Sequence, residues 1–316
     1  MATTQTFTGN YAGEKAIGYV APAVLSANTI AQGAVTVHEN VRYKLNVRNF
    51  ASTGFLADAT CDFASSGAVS LSDVVLEPKE MQVGLELCKK NFTDQWESIE
   101  MRGAMLGQEI PASFTDWLVE RLNAITAKDV ETYIWQGANT TNQFEGFEAK
   151  LLANSSVNDV TGTTLTAANI IAELAKVVSA IPSAVYADRA ENGVAIRISI
   201  KAAQLYQRAL GYGIVPLATD LTSAANINSY NNGLTVGEKP LNFEGIPLIV
   251  CNGLSDNKMV AGRSADLHFG TNVLTDMTSM DIIDRAPIDG SQNFRFVQRF
   301  SAGTQITNGS DLVYYA

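Results

Sequence analysis

The chain has 316 residues, 46% of them hydrophobic and only 17% charged, with a formal net charge of −10. That length allows two domains, or one domain with large excursions, and that composition builds a buried core instead of a disordered chain. The acidic balance argues against a sequence-reading duplex binder, which must neutralise phosphates with Lys and Arg, but is compatible with a wall that encloses nucleic acid without gripping it. Cys61, Cys88 and Cys251 are far apart, odd in number and form no CxxC pair, so neither zinc nor a disulfide framework is expected and a reducing compartment is. The N-terminus has no charged start followed by an apolar core, and no run approaches the roughly 20 apolar residues that span a bilayer. A soluble cytosolic product with no membrane partner is expected.

From Met1 to about Ala34 the sequence is small, polar and weakly patterned, an arm that would gain order by lying on something else. VRYKLNVRNF (Val41 to Phe50) alternates like a half-exposed strand, and STGFLADATCDFASSGA reads as a loop. VVLEPKEMQVGLEL predicts two strands folded about a Glu77-Pro78-Lys79-Glu80 turn, a hairpin with a charged tip. In its second strand Met81, Val83, Leu85 and Leu87 face one way and Gln82, Gly84 and Glu86 the other. NFTDQWESIEMRGAML predicts a short amphipathic helix.

PASFTDWLVERLNAITAKDVETYIWQG predicts a long helix entered at Pro111, capped by Ser113 with Asp116 and stopped by Gly137. Its stripe is Leu118, Leu122 and Ile125, continued by Val130, Tyr133 and Ile134. After the polar loop GANTTNQFEG comes a helix over AANIIAELAKVVSAI, capped by Thr166, ended by Pro182, and burying Ile170, Ile171, Leu174, Val177, Val178 and Ile181. GVAIRISI is a buried strand, Ser199 opens the helix IKAAQLYQRAL with Gly211 as its stop, and Ile214 to Glu238 is a long surface loop. GIPLIVCN and KMVAGR add strands, FRFVQRFSAGTQI alternates as a long strand, and DLVYY ends the chain in another. This succession predicts an α+β or α/β fold for that region.

Residues that carry chemistry are sparse. The two histidines, His38 and His268, read as structural residues, and GRSAD (Gly262 to Asp266) lacks the last glycine of a nucleophile elbow. Neither GEKAIG nor GYGIVP has phosphate-loop spacing. Asp281, Asp284 and Asp289 have no EF-hand register and read as a solvated or inter-subunit charge cluster. No catalytic, cofactor-binding or metal residue is assigned, and no enzyme is expected.

The order of pieces is more informative. A weak N-arm, VVLEPKEMQVGLELCKKNFTDQWES, the helix SFTDWLVERLNAITAKDVETYIWQG, the loop into FEGFEAKLL, the stretch FEGIPLIVCNGLSDNKMVAGRSADLHFG and the strand FRFVQRFSAGTQI follow one another. The most telling piece is Gly245-Ile246-Pro247, an apolar strand, a turn, a second strand and Gly262-Arg263-Ser264 before Phe269-Gly270. Next is the strand bearing Arg295 and Arg299 after an acidic loop. Along nearly its whole length the chain resembles the major capsid proteins of tailed bacteriophages, with the Hong Kong 97-type fold.

The resemblance implies an α+β capsid fold with an N-terminal arm (residues 1–40) and an extended loop (41–90). A peripheral domain with a spine helix (91–143), an axial domain (144–275) and C-terminal strands returning to the peripheral domain (276–316) complete it. It implies a structural subunit that assembles as pentamers and hexamers into an icosahedral shell around double-stranded DNA, built in the host bacterial cytoplasm and located in the virion capsid. The implied partners are further copies, a separate scaffolding protein, a portal and a cement or decoration protein; no cofactor is implied. Glu77, Lys79, Glu80, Lys89, Lys90, Asp284, Arg285, Arg295 and Arg299 are the candidate inter-subunit contacts. An encapsulin-like compartment shares the fold but starts with a short helix instead of a long arm. A phage accessory enzyme or carbohydrate-binding protein would need a convergent polar pocket.

Overall fold

The structure, a computed structural model, describes residues 27–59, 61–62, 66–88, 112–189, 193–210, 241–272 and 281–316, with side chains of the long helix from residue 118 onward. The arm before residue 27, the helix expected over NFTDQWESIEMRGAML, the side chains of the expected Ser113–Asp116 cap, the Gly211 stop, the loop Ile214 to Glu238, and Lys89 and Lys90 lie outside the described residues. The long helix begins at Ala112, so Ser113 falls inside it.

The alternation of NFRFVQRFSAGTQI is realised as one 14-residue strand, β12 (Asn293–Ile306), the backbone of a five-stranded sheet. Its antiparallel partners are β4 (Lys79–Cys88), β11 (Asp281–Asp284) and β10 (Leu267–Thr271), and β10 pairs in parallel with β1 (Thr36–His38). In β4 the expected faces appear: Met81, Val83, Leu85 and Leu87 lie inward, while Gln82 and Gly84 are exposed. Facing them on β12, Phe294 and Phe296 stack edge-on at 5.3 Å and are buried.

Helix α1 (Ala112–Gln136) has 25 residues, a rod of about 37 Å at 1.5 Å per residue. Leu118, Val119 and Leu122 pack on Leu87, Phe294 and Phe296, and further along Val130, Ile134 and Trp135 enter a second apolar cluster with Phe144, Phe147 and Phe269. Ile125, expected on the buried stripe, is exposed because it falls where the helix passes from one support to the other. Gly137 ends the helix through close approach: a Cβ there would sit 2.1 Å from the Phe144 carbonyl oxygen. The polar loop doubles back through Asn139 and Asn142, both at positive φ, and leads into α2 (Phe147–Ala153).

The rest of the chain builds a six-stranded sheet in the order β5 (Asn158–Val160), β13 (Val313–Tyr315), β9 (Met259–Arg263), β6 (Val194–Ile198), β8 (Ile246–Val250) and β7 (Asn242–Phe243). Helices α3 (Ile170–Ala180), α4 (Ser183–Ala187) and α5 (Ile200–Leu210) pack their apolar residues on it. Ser199 caps α5 as expected, its hydroxyl accepting the Ala202 N–H at 3.1 Å. Two expectations for α3 fail. The N-cap position is Asn169 instead of Thr166, with Asn169 Oδ1 accepting the Thr166 N–H, and Ile171 is exposed because it lies a helical step away from the Ile170, Leu174, Val177, Val178 stripe. LHFGT, to which the sequence pattern assigns no element, is the fully buried β10 and carries the chain from the six-stranded to the five-stranded sheet. At the other end, β13 leaves β12 and joins the six-stranded sheet.

The hairpin is not where the sequence placed it. β3 (Ala68–Leu76) pairs with β2 (Leu45–Thr53), and β4 pairs with β12, so the strands on either side of Glu77-Pro78 do not pair with each other. At Glu77-Pro78 the chain passes against the backbone of Gly303, where a Cβ would lie 2.9 Å from the Glu77 oxygen and the Pro78 Cα. There it crosses from one sheet to the other. The true hairpin closes beyond the Thr53↔Ala68 pair, within the segment read as a loop from its composition.

Candidate functional site

Strands β2 and β3 form a two-stranded ribbon in register from Leu45↔Leu76 to Thr53↔Ala68. Its root is held: Leu76 is buried against Gly270, where a Cβ would meet the Leu76 side chain at 2.7 Å, and Gln305 Nε2 donates to the Val75 carbonyl at 2.6 Å. Lys44 and Glu77 bridge there at 3.1 Å. Outward from the root nothing in the chain covers the apolar side chains among the described residues. Phe50 and Leu71 sit directly opposite each other and are 62% and 73% exposed, and Leu56 in the connecting loop is 99% exposed. Val69 and Phe55 toward the tip, and Tyr43 before β2, are exposed as well. An isolated two-stranded hairpin is marginal in water, and a contiguous exposed apolar patch marks an interaction surface.

The base of the arm is the second built feature. Residues 28–34 are clamped at both ends by buried charges. At one end the carboxylate of Glu131, on α1, accepts the N–H groups of Asn28 and Thr29, both at 3.2 Å, the Thr29 hydroxyl, and the Gly253 N–H at 3.3 Å. Trp135 Nε1 donates to the same Thr29 oxygen at 2.8 Å. At the other end Arg197, at the centre of β6 and fully buried, donates to the carbonyls of Ala34 at 2.8 Å, Ala195 at 3.2 Å and Gly262 at 3.0 Å, and to Ser264 Oγ at 2.8 Å. Burial lowers the Arg197 guanidinium to about 10, so it remains charged at neutral pH and is satisfied by neutral acceptors. Asn28 also bonds the Val250 carbonyl and the Asn252 N–H, tying the segment to the six-stranded sheet.

Most of the candidate contact residues have partners in their own chain. Glu77 pairs with Lys44, and Lys79 Nζ donates to the carbonyls of Thr140 at 2.9 Å and Gln143 at 2.7 Å, bracing the loop after α1. Arg295 bonds Glu86 at 3.0 Å and, with Asn293, holds the Glu86 carboxyl below the usual range. Asp284 accepts the Ala286 N–H at the start of α6 (Ala286–Asp289), and Arg285 pairs with Asp289, whose carboxyl is lowered chiefly by its bond to Ser291. Glu80 and Arg299 are exposed and have no ion-pair partner among the described residues. They lie on the polar face that β4 and β12 turn away from α1.

Neither clamp was foreseen. The available signal was a charge inside an apolar run: Arg197 in GVAIRISI, and Glu131 between Val130 and Ile134.

No family model and no curated protein matches the sequence. Solved structures do match. The capsid of a native GTA particle is 12% identical, with 99% of this chain and 94% of that one covered and a TM-score of 0.61. The capsid of cyanophage A-1(L) is 12% identical over 95% of each chain, with a TM-score of 0.60. For the capsid of the Myoviridae phage XM1 the identity is again 12%, the coverage 100% and 95%, and the TM-score 0.53. With its spine-like helix, two sheets and protruding ribbon, the chain has the α+β Hong Kong 97-type fold of tailed-phage capsid subunits.

Proposed function

We propose that this chain is the structural subunit of an icosahedral phage shell, assembling as pentamers and hexamers around double-stranded DNA. The observation that carries the reading is the ribbon, a long apolar limb left uncovered by the described residues of its own chain on a fold shared with capsid subunits. In a shell the limb lies across an adjacent copy, where burial of Phe50, Leu71 and Leu56 drives association. Glu80 and Arg299 are the charges of the candidate set best placed to meet that neighbour, since the rest of the described set is engaged within the subunit. The low charged fraction suits a surface largely covered by other subunits. Closure multiplies many modest contacts into a stable particle. Scaffolding protein, portal and decoration protein are further partners of this reading, and assembly takes place in the host cytoplasm.

Negative-stain electron microscopy of the purified chain, and of the lysate in which it is made, tests this. Closed shells of uniform diameter, filled with DNA in the lysate, are expected. Shells filled instead with an enzyme cargo would assign the chain to a compartment, and dispersed monomers at every concentration would remove the shell reading.

A further inference from the structure

The chain's two histidines, 230 positions apart, meet. His38 ends β1 and His268 lies in β10, the parallel pair that joins the arm to the sheet, with Thr36 opposite His268 and His38 opposite Gly270. His38 Nε2 is 2.9 Å from His268 Nδ1, and the rings are 5.0 Å apart. The other nitrogen of His268 lies 3.3 Å from Thr307 Oγ1, which is 3.2 Å from Asp266 Oδ1.

Asp266 Oδ1 accepts from Thr307 Oγ1, and with Thr307 as that donor the remaining proton directions follow. Thr307 donates its hydroxyl proton to Asp266, and its oxygen receives the Nε2–H of His268. That leaves His268 Nδ1 bare, and His38 donates its Nε2–H to it. One proton lies between the two rings. A second, placed on His268 Nδ1, would remove the acceptor and set N–H against N–H, at a residue only 5% exposed.

We propose that His38 and His268 form a proton-released latch, in which protonation of His268 detaches β1 from the sheet and frees the segment joining the N-terminal arm to the ribbon. The groups that face His268 are His38 from β1 and Asp266 from the turn before β10; Asp266 is tied in turn to Arg263, which also pairs with Asp311. From β12 it faces the neutral Gln305, and Thr307 comes directly after that strand. Glu39, next to His38, is exposed. Burial first, then the neighbouring His38, lowers His268 from 6.5 to about 4, against the opposite pull of Asp266.

Undocking of β1 returns solvent to His268, so the released form binds up to one more proton than the docked form between those two values. Each pH unit lost in that window shifts the balance toward release by up to about tenfold. Above pH 6.5 the latch is closed. Arg197 does not titrate in the window, so its hold on Ala34 confines the response to β1 and the residues that lead from it into the ribbon.

Amide hydrogen exchange of the full-length chain, read by mass spectrometry from pH 7 to pH 4 and corrected for intrinsic rates, tests the latch. Residues 36–41 should lose protection by up to about tenfold per pH unit below 6.5, while β12 keeps its own. His268→Asn retains an acceptor at the Nδ1 position and does not titrate, so its profile should be flat. His38→Gln keeps the donor but removes the second imidazole, and should show a smaller slope; it serves if the first variant does not fold. A flat wild-type profile, a loss shared with β12, or an undiminished slope in whichever variant folds would overturn the latch. Because the readout is local protection and not particle formation, the outcome is independent of the shell reading.

Discussion

Replacing both Phe50 and Leu71 with alanine trims the middle of the ribbon, where the two side chains oppose each other. Full burial of such a side chain stabilises by about 1.5–3 kcal/mol. With 62% of Phe50 and 73% of Leu71 still exposed in the single chain, about two thirds of that is left to gain on docking, or about 1–2 kcal/mol each. Every subunit in a shell contributes one ribbon, so the double variant should weaken assembly by about 2–4 kcal/mol per subunit, raising the threshold concentration by about 30- to 1,000-fold. Folding should hardly change, because exposed side chains away from special features shift stability by about 0.5 kcal/mol or less. The assay pairs sedimentation velocity across a dilution series with urea unfolding of the unassembled chain. Assembly at the wild-type threshold would refute the reasoning. So would a loss of folding stability above about 2 kcal/mol, which would mean that these side chains pack within their own subunit.

Glu131→Ala should cost about 3–5 kcal/mol in urea unfolding, since it strands the buried N–H groups of Asn28, Thr29 and Gly253 together; a change below about 1 kcal/mol would show that the clamp is dispensable. Lys79→Met removes the donor that braces the Thr140 and Gln143 carbonyls and should lower stability by about 1–2 kcal/mol with the assembly threshold unchanged. The reverse result, normal stability and lost assembly, would return Lys79 to an inter-subunit role.

Faces were legible in the sequence and partners were not. A period of two told which side of β4 and β12 was apolar, and a period near 3.6 drew the stripes of α1 and α3. Neither period says which strand lies alongside. Two neighbouring alternating segments about Glu77-Pro78 therefore read as a hairpin, although β4 finds its partner more than 200 residues later in β12. The clamps were hidden for a related reason. Arg197 is satisfied by the carbonyl of Ala34, 163 positions away, and Glu131 by amides 102 and 103 positions away, so nothing near either residue announces the compensation. The ribbon's exposed Phe50 and Leu71 stand in an ordinary strand pattern; only the fold shows that no second layer among the described residues covers them.

Analytical ultracentrifugation of the purified wild-type chain tests the central claim most directly. Closed particles should sediment as one narrow boundary whose mass is a large multiple of the 33.8 kDa subunit, dissolving together on dilution. A single 33.8 kDa species that persists at all concentrations, with its ribbon amides already protected, would contradict it.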